Sequence, residues 1–125
     1  MPAHQPAELH ALLETAFNTR DLDAVLALYE PDALFVTGPA TSIAGHDAIR
    51  AAYQSFFTMR PVMRLETASV LQNGDLALLE GRWVLIGISA DGDPIHTTGT
   101  SHEVVRRQPD SGVWKYAVDD PGVGK

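Results

Sequence analysis

Leu65-Glu66-Thr67-Ala68-Ser69-Val70-Leu71-Gln72-Asn73-Gly74-Asp75-Leu76-Ala77-Leu78-Leu79 decides the fold of this chain. From Val62 onward apolar side chains recur with a period of two, the period of an extended strand, so Leu65 to Leu71 is a strand. Asn73-Gly74 supplies two residues that reach positive φ cheaply, which a two-residue hairpin requires. Leu76 to Ser89 is the returning strand, with Gly81 and Gly87 as its expected bulge or bend points. Asp91-Gly92 repeats the hairpin chemistry, Ile95 to Arg107 is a third long strand, and Gln108 to Gly112 turns into a last strand, Val113 to Asp119.

Upstream of this meander the period is helical. Leu9, Leu12, Leu13, Ala16 and Phe17 form one apolar stripe, with Pro6 suited to its first turn. Asp21 is a good N-cap for a second helix with the stripe Leu22, Val25, Leu26 and Tyr29, ended by Pro31. Ala33 to Thr37 reads as a short strand closed by Gly38-Pro39. A third helix opens after Gly45, carries Ile49, Ala52, Tyr53, Phe56 and Phe57 on one face, and stops by Pro61. The prediction is an α+β fold over residues 1–125 as a single domain, with an ordered core of about 6–120 and a fraying tail, Pro121 to Gly124. Three N-terminal helices pack on the concave face of a curved antiparallel sheet and leave a small-molecule cavity between them.

With 125 residues the chain makes one core and no second one. The formal net charge of −7 and the scattered basic residues argue against nucleic acid and against an anionic membrane surface. The absence of cysteine excludes disulfides, thiol catalysis and cysteine-rich zinc sites. No apolar run approaches the roughly 18 residues of a membrane span, and Met-Pro-Ala-His-Gln-Pro is no secretory signal, so a cytoplasmic location is expected. Five histidines show no His-x-x-x-His spacing and no His/carboxylate pairing on one element, so no metal site is expected. The isolated glycines form no phosphate loop or dinucleotide fingerprint, and no cofactor is expected.

The run Asn18-Thr19-Arg20-Asp21-Leu22-Asp23-Ala24-Val25-Leu26-Ala27-Leu28-Tyr29, then Pro31-Asp32-Ala33 and Gly45-His46-Asp47-Ala48-Ile49-Arg50, resembles the SnoaL-like and ketosteroid-isomerase-like proteins of the nuclear transport factor 2-like superfamily. The ending Gly112-Val113-Trp114-Lys115-Tyr116-Ala117-Val118-Asp119-Asp120-Pro121 is similar to their final strand. The resemblance spans nearly the whole chain. It implies a cone-shaped α+β barrel, commonly a homodimer through the outer sheet face, and leaves the function open, since members include isomerases, dehydratases, hydrolases and domains with no chemistry. It also implies where a steroid isomerase would carry its catalytic groups. The proton-shuttling aspartate falls on Thr37, the oxyanion-hole tyrosine on Leu13, and the neutral aspartic acid at about His102, to within one residue. Thr37 is no base near neutral pH and Leu13 no donor, so steroid isomerisation by that mechanism is not expected.

The residues themselves nominate a different pair. His102 shares strand parity with Thr98, Thr100 and Val104, and Asp120 with Trp114, Tyr116 and Val118, so both are expected on inward faces. The short turn joining their strands brings them near one register. An imidazole beside a carboxylate in an apolar cavity is a proton-transfer device, and His102 and Asp120 are the catalytic candidates. The competing readings are a histidine satisfied by a neighbouring threonine and a solvated aspartate capping a turn. Phe17, Thr37, Tyr53, Phe56, Trp83, Thr100 and Tyr116 are the expected pocket lining. Apolar residues on both faces of the long strands independently predict a homodimer. Two function classes remain open. One is a cofactor-free acid–base enzyme of isomerase, dehydratase or hydrolase type acting on a small, mostly apolar molecule; the other is a non-catalytic ligand-binding or dimerisation module.

Overall fold

The computed structural model describes residues 2–122. The element order is α1 (Glu8–Asn18), α2 (Leu22–Ala27), β1 (Tyr29–Gly38), β2 (Thr41–Ala44), α3 (His46–Phe57), β3 (Val62–Asn73), β4 (Leu76–Ile88), β5 (Pro94–Arg107) and β6 (Trp114–Asp120). Asp21 caps α2 as expected, its side chain accepting from the Ala24 N–H at 3.1 Å. Val123 and Gly124 of the expected fraying tail lie outside the described residues.

Two boundaries differ from the sequence reading. Tyr29, counted on the α2 stripe, is instead the first residue of β1 and remains fully buried there. Pro31 then lies within the strand rather than before it. The β1–β6 register shifts between Tyr29 and Leu34, an irregularity that accommodates a residue with no N–H to donate. The four-residue strand β2 was not expected, because a strand that short and mostly exposed shows no period.

The six strands form one sheet in the order β2-β1-β6-β5-β4-β3. β3 through β6 make the expected antiparallel meander, but β6 runs parallel to β1, so the sheet is mixed and the all-antiparallel expectation is corrected. Chain direction explains this. The meander brings the last strand back beside the first on the same heading, after the α3 crossover.

The concave face is the core. Leu9, Leu13 and Phe17 of α1, Val25 and Leu26 of α2, and Ile49 and Tyr53 of α3 pack against Leu65, Leu79, Val105 and Tyr116 of the sheet. Gly81 lets α1 come close: a Cβ there would lie 2.6 Å from Ser101 Oγ and 2.9 Å from His10 Cε1. The expected bulges at Gly81 and Gly87 are absent from the β4–β5 register, which runs unbroken. Within the meander the irregularities fall at Ala68 in β3, beside the Thr67–Gly81 pair, and at Ala117 in β6, each an extra residue between consecutive pairs. The one at Ala117 decides the site.

Candidate functional site

A void of about 130 Å³ lies between the helices and the sheet. Its walls are apolar, with Leu13 and Phe17 from α1, Phe35 from β1, Tyr53 and Phe56 from α3, Leu65 from β3, and Trp83 and Leu85 from β4. Besides the hydroxyl-bearing ring of Tyr53, its polar residues come from the two strands of one hairpin: Ser101 and Glu103 on β5, Asp119 on β6. Trp83 lies over Gly99, where a Cβ would sit 2.3 Å from the indole, and its Nε1–H donates to the Pro121 carbonyl at 2.8 Å.

Glu103 and Asp119 are direct cross-strand partners, both buried, at 2% and 4% exposure. Two carboxyls in that relation cannot both ionise without a large electrostatic cost. Burial first, and then the charge of Glu103, push the Asp119 carboxyl up to about 8; the hydrogen bond from Tyr29 pulls the other way, and Asp120 adds to the rise. Near neutral pH Asp119 therefore holds its proton. The Tyr29 hydroxyl donates to Asp119 Oδ2 at 2.5 Å and lies 2.6 Å from the Tyr53 hydroxyl, which continues the chain. Burial raises Tyr29 and Tyr53 well above the ordinary phenol value, so both stay neutral donors.

Glu103 has a different partner. His10, 1% exposed on α1, places Nε2 at 2.9 Å from Glu103 Oε1 and Nδ1 at 2.7 Å from Thr67 Oγ1. In the tautomer that carries its proton on Nε2, His10 donates to Glu103 and its Nδ1 accepts from the Thr67 hydroxyl. The site thus carries a buried carboxylate backed by an imidazole and, opposite it, a carboxylic acid backed by two phenols. The first can accept a proton and the second can give one. Ser101 Oγ, buried beside Glu103, has no hydrogen-bond partner among the described residues.

Of the expected lining, Phe17, Tyr53, Phe56 and Trp83 border the void. Thr37 and Thr100 do not. Thr37 is exposed near the end of β1, its hydroxyl donating to Thr41 Oγ1 at 3.0 Å, and Thr100 is exposed on the convex face opposite Arg82. Tyr116 is in the core but does not border the void; its ring packs against Tyr29 with centroids 5.0 Å apart.

His102 and Asp120 are direct register partners, close to the expected alignment, yet they face outward. His102 is exposed, with Nε2 3.3 Å from Glu80 Oε1 on the neighbouring strand. Asp120 is half-buried, and its Oδ1 accepts from the Gly122 N–H at 3.0 Å. Their expected position in the cavity is therefore corrected, for two reasons. The parity argument makes Val104 the inward residue of β5, whereas Val105 is the core residue and Val104 is half-buried on the convex side. On β6 the extra residue at Ala117 reverses the face, so Trp114 and Tyr116 point inward with Asp119 rather than Asp120.

His10, Glu103, Asp119, Tyr29 and Ser101 were not singled out from the sequence. His10 did carry a signal: it lies three residues before Leu13 and seven before Phe17, on the buried stripe of α1. For Glu103 the only signal was its place between Ser101 and Val105, one of two alternating sets that composition does not rank. Among the described residues no group of three or more histidine, aspartate or glutamate side chains could hold a metal. No described helix is long and apolar enough to cross a membrane.

Comparison with known proteins agrees with this architecture. No characterised protein matches the chain in sequence. Among solved structures, a ketosteroid isomerase-like protein from Erwinia carotovora atroseptica is similar at 26% identity and a TM-score of 0.77, over 91% of this chain and 90% of that one. A nuclear transport factor 2-like protein with a cystatin-like fold from Novosphingobium aromaticivorans is similar at 19% identity and a TM-score of 0.73, over 91% and 76%. A conserved protein from Planctomyces limnophilus is similar at 16% identity and a TM-score of 0.80, over 90% and 88%. The last two likenesses concern the fold alone. The sequence pattern of the SnoaL-like domain matches residues 9–110. With its three helices on a curved six-stranded sheet, this chain belongs to the SnoaL-like family.

Proposed function

We propose that the cavity binds one small, mostly apolar molecule, holds its polar end at the Glu103–Asp119 pair, and moves a proton there without a cofactor. The observation that carries this reading is that pair itself: two carboxyls meet across β5 and β6 inside an otherwise aromatic and aliphatic void. Such groups are costly to bury, and an acid and a base held opposite one another are what proton transfer uses. The convergence of Asp119, Glu103, Ser101 and Tyr53 on one void supports an acid–base enzyme over a non-catalytic module. Size narrows the ligand. A void of about 130 Å³ is near the ~150 Å³ cavity that holds a benzene molecule, so the fit is to a single substituted ring and not to a fused four-ring steroid. Thr37, turned to solvent, gives the steroid mechanism no base.

The same reading includes a homodimer through the outer sheet face. Leu71, Leu78, Val104 and Val118 follow one another across β3, β4, β5 and β6 in register, and Val62 pairs with Ile86 nearer the other end. Leu71 is 67% exposed and Ile86 54%, surface that a second copy would remove from water.

The test is an NMR titration of labelled protein with single-ring alcohols, ketones and amines. Saturable shifts at Phe17, Leu65 and Ser101 are expected, and they should vanish when Leu85→Phe fills the void. Shifts confined to the convex face, or none that saturate, would overturn the cavity reading.

A further inference from the structure

We infer that the polar end of the ligand is a primary amine, bound as its ammonium between Glu103 and Asp119 with Ser101 Oγ as the third acceptor. The inference rests on the reading of the void as a small-molecule site and adds the chemical class of its occupant.

Four features of the site point to this class. An ammonium carries three donors and no acceptor. The polar lining is Ser101, Glu103 and Asp119 of one hairpin with the hydroxyl-bearing ring of Tyr53, and among the described residues no lysine or arginine borders the void. Each carboxyl has a structural partner on one oxygen, Tyr29 on Asp119 Oδ2 and His10 on Glu103 Oε1, so both are oriented and keep acceptor capacity for a ligand. Ser101 borders the void, and its buried Oγ has no partner among the described residues, the mark of a group whose partner comes from outside the protein.

The walls agree with the floor. Phe17, Phe35, Tyr53 and Phe56 form a connected cluster of rings, with neighbouring centroids 5.6 to 6.3 Å apart, and Trp83 adds an indole. Aromatic faces attract a desolvated cation and also pack an aryl or alicyclic ring. An anionic ligand would meet Glu103 with no compensating charge. A neutral alcohol would satisfy Ser101 but leave the two acids facing each other as before.

Binding then has a proton balance. The groups facing Asp119 are Glu103 on β5, Tyr29 on β1, Tyr53 on α3, and Tyr116 and Asp120 on its own strand, with His10 of α1 behind Glu103. None of the tyrosines gives up a proton in this range. When the ammonium enters, Asp119 gives its proton to solvent and becomes a carboxylate, so one cation enters, one proton leaves, and the ammonium replaces Asp119 as the proton donor of the site. No bond to carbon changes.

Calorimetric titration of the whole chain with benzylamine, benzyl alcohol and benzoate, near pH 6, 7 and 8 and in two buffers of different ionisation enthalpy, tests this. The expected result is benzylamine affinity rising about tenfold per pH unit up to Asp119's own titration, with close to one proton released. Benzyl alcohol should bind at least about tenfold more weakly near pH 8, and benzoate not at all. Ser101→Ala and Glu103→Gln should each weaken benzylamine about tenfold or more, the wild-type proton count standing as the test if either variant fails to fold. Benzyl alcohol binding as tightly as benzylamine, with no proton released, would overturn the amine assignment and leave the cavity reading standing. If no ring compound binds, or if benzylamine binding survives Leu85→Phe, both fall.

Discussion

Asp119→Asn should make this protein more stable near neutral pH, and the gain should disappear in acid. The native carboxyl titrates at about 8 against 3.8 for an ordinary aspartate, so between those values the folded chain holds a proton that the unfolded chain has lost. Stability rises with pH only where the unfolded state binds more protons. Here the native state binds more, so Asp119 makes stability fall as pH climbs from about 4 to about 8, and the loss levels off above. At roughly 1.4 kcal/mol per tenfold change in proton affinity, the loss comes to about 3 kcal/mol between pH 5 and pH 7. Asparagine keeps the volume and has no charge to bury. Its carbonyl oxygen can still accept from Tyr29, and its amide can donate to Glu103. Urea unfolding of both proteins at pH 5, 6, 7 and 8 measures the difference. The variant should gain on the wild type by about 1 kcal/mol or more per pH unit across that range, with m unchanged. A pH-independent difference, or a variant less stable at pH 7 by as much as at pH 5, would refute the protonated, buried Asp119.

Three further outcomes follow from the geometry. His10→Ala leaves the buried Glu103 without its partner and should cost about 3–5 kcal/mol in urea, whereas His10→Gln, which can donate to the carboxylate, should recover part of it. Gly81→Ala forces a methyl against Ser101 Oγ and His10 Cε1, so a loss of about 1–3 kcal/mol and a disturbed His10 ring resonance are expected by denaturation and NMR. Sedimentation at micromolar concentration should give a dimer, and Leu78→Lys with Ile86→Lys should give a particle of 13.5 kDa with the same circular dichroism. A wild-type particle of that mass would count against the convex-face dimer.

Much of the fold was legible because local signals agreed with one another. Asn73-Gly74 fixed a hairpin without reference to the rest of the chain, and the stripe Leu9 to Phe17 fixed a helix. The irregularities were not legible. Ala68 and Ala117 are unremarkable residues whose neighbours alternate normally, and the extra residue exists only because the partner strand must stay in step on both sides of it. Tyr29 illustrates the same limit: its spacing fits the α2 stripe, but pairing with β6 draws it into a strand.

The sequence by itself therefore determined the element order, the hairpins, the concave apolar core and the family, all of which rest on periods and turns within short windows. Only the tertiary structure decided which residues meet in the cavity. A strand's faces are two alternatives separated by one residue, and a single bulge at Ala117 exchanged Asp120 for Asp119. On β5 the choice between Val104 and Val105 as the core residue exchanged His102 for Glu103. His10, on a separate helix ninety-three positions before Glu103, could join the site only once α1 had packed over Gly81.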